Sequence, residues 1–117
     1  MTDIEDLTSR IRAFAQARSW ERFHTPKNLA MALAGEAGEL LAELQWLTDD
    51  EIHEALSDED RRDRVRMEAA DVFMYLLRFA DVTGIDLAQA TLDKMARNDL
   101  RYPVEKSRGK STKYDEL

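Results

Sequence analysis

Residues Gly35 to Trp46 read GEAGELLAELQW, and helical spacing puts Glu36, Glu39 and Glu43 on one face. Advancing about 100° per residue places Leu29, Leu33, Leu40 and Leu47 on the same side, around the acids. These glutamates therefore belong to the stripe a globular chain buries, and no basic residue lies one helical turn away to pair with them. Carboxylates withdrawn from water persist only when paired, protonated or bound to a cation. The stretch predicts a helix whose buried face requires a cation, and a second element that supplies further ligands.

Apolar residues recur at helical spacing through the rest of the chain, with only 4 Gly and 2 Pro to interrupt them. The pattern predicts an all-α, four-helix bundle-like fold. Thr2 and Glu5 have capping-box spacing and open a first helix that carries Ile4, Leu7, Ile11 and Phe14 inward, ending near Arg18 or Ser19. The connection SWERFHTPKN leads to Thr25 as an N-cap and Pro26 at the first helical position, where proline is tolerated. From there the second helix runs to about Leu47. Thr48 and Glu51 repeat the capping pattern before a short helix, and Ser57 with Asp60 opens a long third helix that stops before Gly84. Asp86 with Gln89 opens the last helix, which stops at Pro103. Residues 104–117 are polar and aperiodic, so the expected organisation is a helical domain over 1–103 and a flexible tail over 104–117.

A net charge of −7 argues against a nucleic-acid surface, which would be basic. A small anionic ligand stays compatible, because a bound metal inverts the local sign. Without cysteine there is neither a disulfide framework nor a thiolate site. The start MTDIEDLTSR lacks the basic residues and apolar run of a signal peptide, and no segment approaches the roughly 18 apolar residues of a membrane span. A cytoplasmic protein with no membrane partner is expected.

On the third helix Glu68 and Asp71 are three residues apart, within the arc of Val65, Val72, Tyr75, Leu76 and Phe79. Arg64, one turn before Glu68, is available to pair with it. If the two helices pack antiparallel, four carboxylates converge across one groove. Oxygen-only ligands favour a hard cation, Mg²⁺ or Mn²⁺, over Zn²⁺, and such a cluster suits phosphoryl chemistry. The bland reading is a solvated acidic face, common in Glu-rich helices; the apolar setting of both pairs weighs against it. A di-iron bundle needs two Glu-x-x-His motifs, and only Glu21 and His24 have that spacing.

These residues resemble the MazG-like nucleoside triphosphate pyrophosphohydrolases of the all-α NTP pyrophosphatase superfamily, of the short dCTP pyrophosphatase type. The resemblance runs through SWERFHTPKNL, GEAGELLAELQW, EAADVFMYLL, KMARNDLRYP and the terminal KYDEL. It implies Mg²⁺-dependent hydrolysis of (deoxy)nucleoside triphosphates, dCTP or modified cytosine nucleotides among the candidates, to monophosphate and pyrophosphate. It further implies a house-cleaning role and a homotetramer, a dimer of dimers. Glu36 and Glu39 match the first metal-binding pair, and carry the catalytic expectation; Glu68 and Asp71 match the second. Glu43 is a supporting group. The chain departs from the resemblance at Ala37, where many members have a second glutamate, and at Ile11, where mammalian dCTP-hydrolysing members carry a histidine.

Lys94, Asn98 and Arg101 share one face of the last helix and suit a triphosphate, Arg as a bidentate donor and Lys as a point charge. Lys27 and Lys113 are further phosphate-binding candidates, with Lys110 and Tyr114 beside Lys113 in a tail able to fold over substrate. Trp20, His24, Asn28, Trp46, Tyr75 and Tyr102 are base- or sugar-binding candidates, since bases stack on aromatic faces; Phe23 belongs with them. For the aromatics the competing reading is plain core packing, and for the last helix an ordinary solvated face. A catalytically inactive, helical nucleotide- or partner-binding dimer on the same scaffold is the alternative function.

Overall fold

A computed structural model of the chain describes residues 3–117, which contain six α-helices, two 3₁₀ turns and no strand. The helices are α1 Ile4–Ala17, α2 Pro26–Leu44, α3 Asp49–Ala55, α4 Glu59–Thr83, α5 Leu87–Arg101 and α6 Val104–Ser107. The 3₁₀ turns are Glu21–Phe23 and Tyr114–Glu116. Among the described residues, no helix is long and apolar enough to cross a membrane.

Three of the expected caps form. Thr25 Oγ1 accepts from the Asn28 amide at 3.1 Å with Pro26 in the first turn, and Asp86 Oδ1 accepts from the Gln89 amide at 3.0 Å. Thr48 and Glu51 make a reciprocal box, at 3.3 and 3.0 Å. Gly84, with φ 72°, ends α4 in the left-handed conformation that glycine adopts without a steric penalty. The other two caps differ from expectation. α1 is capped by Asp3, whose carboxylate accepts from the Asp6 amide at 2.8 Å, while the expected Thr2 lies outside the described residues. α4 is capped by Asp58, not Ser57; the Ser57 hydroxyl donates back to the His53 carbonyl at 3.1 Å. A charged acceptor is favoured over a hydroxyl at the positive end of a helix. α2 stops at Leu44, short of Leu47, because Thr48 must be extended (ψ 164°) to cap α3 and the chain has to turn before it.

The chain divides into two compact units, one ending at Gly84 and the other spanning Ile85–Leu117. In the first, α4 is the central helix: α2 packs along it and α1 packs on it as well. Glu36 lies level with Glu68 and Asp71, and seven residues further along α2 Glu43 meets Arg61 and Arg64, so α2 and α4 run antiparallel. Ala15, Leu29, Leu77 and Ala80 are its buried apolar residues. Ile4 and Phe14, expected to point inward, are 43% and 49% exposed. Phe14 instead makes contacts within its own neighbourhood, with the Arg18 guanidinium 3.5 Å over its ring and Trp20 edge-on at 5.7 Å.

In the second unit, α5 is followed by residues that take up more regular structure than their aperiodic sequence predicts. They form α6 and the terminal 3₁₀ turn, where Tyr114 packs edge-on to Tyr102 at 6.1 Å and lies under the Arg101 guanidinium at 4.5 Å. One aromatic contact and one cation–π contact hold Tyr114 against the end of α5, in a tail that has no apolar stripe.

Candidate active site

Two i, i+3 pairs, Glu36/Glu39 on α2 and Glu68/Asp71 on α4, face each other across the antiparallel helix pair. Carboxylate oxygens of Glu36, Glu39 and Glu68 lie within 4.8 Å of one another. Asp71 is outside that tight group but close enough that its charge bears on both Glu36 and Glu68. The acidic face is less buried than the apolar arc predicts: Glu36 and Glu68 are half-buried and Glu39 is exposed, at the rim of the helix pair.

The cluster is electrostatically uncompensated. Oε2 of Glu36 and Oε2 of Glu68 are shielded from water and have no hydrogen-bond partner. Among the described residues, none of the four acids makes an ion pair. Burial pushes Glu36 above the ordinary carboxylate range, and Glu39 and Asp71 add to the push. Glu68 is raised likewise by burial, then by Glu39, Asp71 and Glu36. Arg64, expected beside Glu68, goes elsewhere: with Arg61 it reaches across to Glu43, at 3.4 and 3.9 Å, and Arg61 also donates to the Glu43 carbonyl at 3.0 Å. Glu43 is thus held in a structural ion pair, and no arginine or lysine among the described residues pairs with the other four acids. Two orphaned oxygens in an all-carboxylate set fit a hard, oxygen-seeking cation.

A cleft of about 150 Å³ adjoins the cluster and shares Glu36 and Asp71 with it. Ile11, Phe14 and Ala15 of α1 form one wall; Met74, Tyr75 and Arg78 of α4 form another. Trp20 and His24 come from the connection after α1. Their placement depends on how that helix ends. The Trp20 amide donates to the Ala15 carbonyl at 3.0 Å and the Ser19 amide to the Gln16 carbonyl at 3.1 Å. This paired closure runs through a left-handed residue, here Ser19 with φ 54° where glycine is usual. It brings Trp20 back onto Phe14, and the next turn sets His24 edge-on to Trp20 at 6.3 Å.

The other expected residues of the first unit lie outside this cleft. Trp46 is 86% exposed and does not line this cleft, and neither do Phe23, Asn28 or Lys27. The Asn28 side chain instead donates Nδ2–H to the Phe23 carbonyl at 3.1 Å, tying the connection to the start of α2. In the second unit, Lys94 is exposed and Asn98 and Arg101 are half-buried on α5; Tyr102 is 37% exposed, and Lys110 and Lys113 are exposed in the tail. The polar cleft residue that the helical-wheel reading missed is Arg78. It is only 6% exposed, and its signal was a lone arginine inside the apolar run YLLRFA with Asp81 one turn on.

Comparison with known proteins agrees with this architecture. The sequence profile of the MazG-like family matches residues 32–117. Mouse and human proteins named dCTP pyrophosphatase 1 are each 41% identical over 114 residues, spanning 97% of this chain and 67% of theirs. The crystal structure of a pyrophosphatase from Archaeoglobus fulgidus superposes with a TM-score of 0.81 at 40% identity, covering 88% of this chain and 94% of that one. The chain is homologous to enzymes and shares their fold.

Proposed function

The chain belongs to the MazG-like family, and we propose that it is a Mg²⁺-dependent nucleoside triphosphate pyrophosphohydrolase acting on (deoxy)nucleoside triphosphates, those of cytosine among them. Water attacks phosphorus in line, the bond between the α and β phosphates breaks, and monophosphate and pyrophosphate leave. The observation that carries this reading is the junction of an aromatic cleft with a carboxylate cluster holding two orphaned oxygens.

Glu36, Glu39, Glu68 and Asp71 would hold the cation. When bound, Mg²⁺ (or Mn²⁺) supplies charge neutralisation at the phosphates and makes the phosphorus more electrophilic. The catalytic carboxylates Glu36 and Glu39 position the water and accept its proton. Trp20 and Tyr75 flank the base, and a space of about 150 Å³ matches a single six-membered ring, the size of a benzene-binding cavity. Lys94, Asn98, Arg101, Lys27 and Lys113 are phosphate contacts on their chemistry: cations and an amide donor for a triphosphate. Asn28, Trp46 and Tyr102 are the weaker sugar and base candidates. Residues 104–117 are proposed to close over substrate, and the enzyme is proposed to act in the cytoplasm in house-cleaning of the nucleotide pool. A homo-oligomer, proposed as a tetramer, would cover large apolar side chains such as Met31 at 65%, Leu41 at 58% and Trp46 at 86% exposure.

The direct test incubates the protein and Mg²⁺ with a panel of standard and modified (d)NTPs. Equimolar monophosphate and pyrophosphate are expected, with pyrimidine substrates preferred. Nucleotide binding without either product would instead assign the inactive nucleotide-binding alternative.

Metal dependence has a second readout. Because the folded-state pKa values of Glu36 and Glu68 lie above the ordinary 4.5, the folded protein holds more protons than the unfolded chain above that pH. Their contribution to stability is therefore present at low pH and lost as pH rises through the folded values. Mg²⁺ binds the ionised acids and reverses that loss. Saturating Mg²⁺ is expected to raise Tm by about 3 °C or more at pH 8 and by much less at pH 5. Equal shifts at both pH values would contradict the assignment of the ion to these acids.

A further inference from the structure

Arg78 is the one buried charged residue among the described residues of the first unit, and its contacts define the state of His24. Its Nε–H donates to His24 Nδ1 at 2.9 Å, and its Nη1–H donates to Asp81 Oδ2 at 2.8 Å. Asp81 is gripped a second time by Arg12 of α1, which donates Nε–H to Oδ2 at 2.9 Å and Nη2–H to Oδ1 at 2.6 Å. The Arg12 hydrogen bonds, with the charges of both arginines, outweigh burial and hold Asp81 below the usual carboxylate range. The side chains of Arg78 and Asp81 are 7% and 13% exposed, so this is a fixed relay. It ties α1 and α4 to the connection that carries Trp20.

A guanidinium has donors only. The nitrogen that receives Arg78 must present its lone pair, so the neutral His24 ring carries its proton on Nε2. Burial and the Arg78 charge hold His24 below its ordinary pKa, against a smaller opposing effect of Glu21, and so favour the neutral ring. Among the described residues Nε2 has no protein partner, and the side chain lines the cleft. We infer that Arg78, clamped by Asp81 and Arg12, is a positioning residue that locks His24 as an Nδ1 acceptor and Nε2–H donor, so that the cleft offers a fixed hydrogen-bond donor to a carbonyl oxygen of a single-ring base. The inference rests on the reading of this cleft as the base site. It adds a polar specificity contact to a pocket whose other walls are mostly apolar. No ionisation change is involved: recognition depends on which ring nitrogen holds the proton.

The test uses the full chain labelled with ¹⁵N at histidine. There are 2 histidines, and His53→Gln assigns the signals. His24 in the wild type is expected to show one protonated-type and one lone-pair-type nitrogen, with the proton on Nε2, and the Nε2 signal is expected to shift when dCTP is added. In Arg78→Met the two nitrogens should move toward tautomer-averaged values, with KM for dCTP raised about tenfold and kcat within about twofold. Arg12→Met, at a residue whose side chain is 45% exposed, tests the relay in a variant that keeps the core intact, and should show the same changes to a smaller extent. Arg78→Lys, which keeps a donor, should recover part of the loss. A wild-type proton on Nδ1, or averaged nitrogens, overturns the lock while leaving the base site standing. A locked Nε2–H ring that does not respond to dCTP, with KM unmoved by Arg78→Met and Arg12→Met, overturns the base-reading role together with the assignment of the cleft.

Discussion

Replacing Glu39 by alanine is expected to lower kcat by about 100-fold or more while leaving Tm unchanged or raised. The two effects have opposite signs for one reason. Glu39 is exposed at the rim of the cluster, so its removal opens no cavity. Its charge is one of the causes that push Glu36 and Glu68 up, so its loss relieves repulsion in the metal-free protein. The same side chain supplies a carboxylate to the only group of three acids within 4.8 Å among the described residues. Even partners outside the ligand shell of a metal are worth about 10- to 100-fold, so losing a direct ligand should cost at least the upper figure. At 1.36 kcal/mol per factor of ten, 100-fold is about 2.7 kcal/mol of transition-state stabilisation. Initial rates at saturating Mg²⁺, paired with thermal melts, separate the outcomes. Full activity in a folded variant would remove Glu39 from the mechanism; lost activity with a large fall in Tm would mean that the residue is structural.

Leu77→Ala should produce the largest stability loss of any single truncation in the first unit except Leu29→Ala. Among the described residues, Leu77 and Leu29 are the large side chains that are fully buried, each 1% exposed. Leu77 lies on α4, the helix on which both α1 and α2 pack. Deleting a buried leucine to alanine costs about 2–5 kcal/mol, through lost transfer energy and the cavity left behind. Against a typical total of about 5–15 kcal/mol, that is a large fraction. The corresponding fall in Tm is about 8 °C or more, measurable by circular dichroism. Leu77→Met, which conserves volume, should cost less than about 1.5 kcal/mol. A Leu77→Ala melt within about 2 °C of wild type would show that the core is not centred on α4.

The parts of the molecule legible in the sequence are those set within one turn of chain. Thr25, Thr48 and Asp86 cap where their spacing predicts, because a side-chain oxygen and an amide three residues on need no other element to find each other. The pairing of Glu36 with Glu39 and of Glu68 with Asp71 is legible for the same reason. Choices between near-equal partners were not. Asp58 displaced Ser57 as a cap, and Arg64 turned from Glu68, on its own helix, to Glu43 on α2. An arginine side chain spans both distances, so only the packing of α2 against α4 decides which acid it meets. The inward orientation expected for Ile4 and Phe14 failed similarly: a helical stripe shows which face is apolar, but not whether another element covers all of it.

By itself, then, the sequence determined an all-helical chain, most of its caps, and two acidic pairs set in apolar arcs, since each is encoded in hydrogen bonds and periodicities a few residues long. Only the tertiary structure decided that Glu36, Glu39 and Glu68 converge within 4.8 Å, that Trp20 and His24 turn back onto a cleft beside them, and that a buried Arg78 holds His24 through Nδ1. The physical reason is distance along the chain. His24 and Arg78 are 54 residues apart and Arg12 and Asp81 are 69 apart, so no local propensity links them. They meet because α1 and α2 each bury their apolar residues against one long helix, and that burial brings the polar groups on their rims into register.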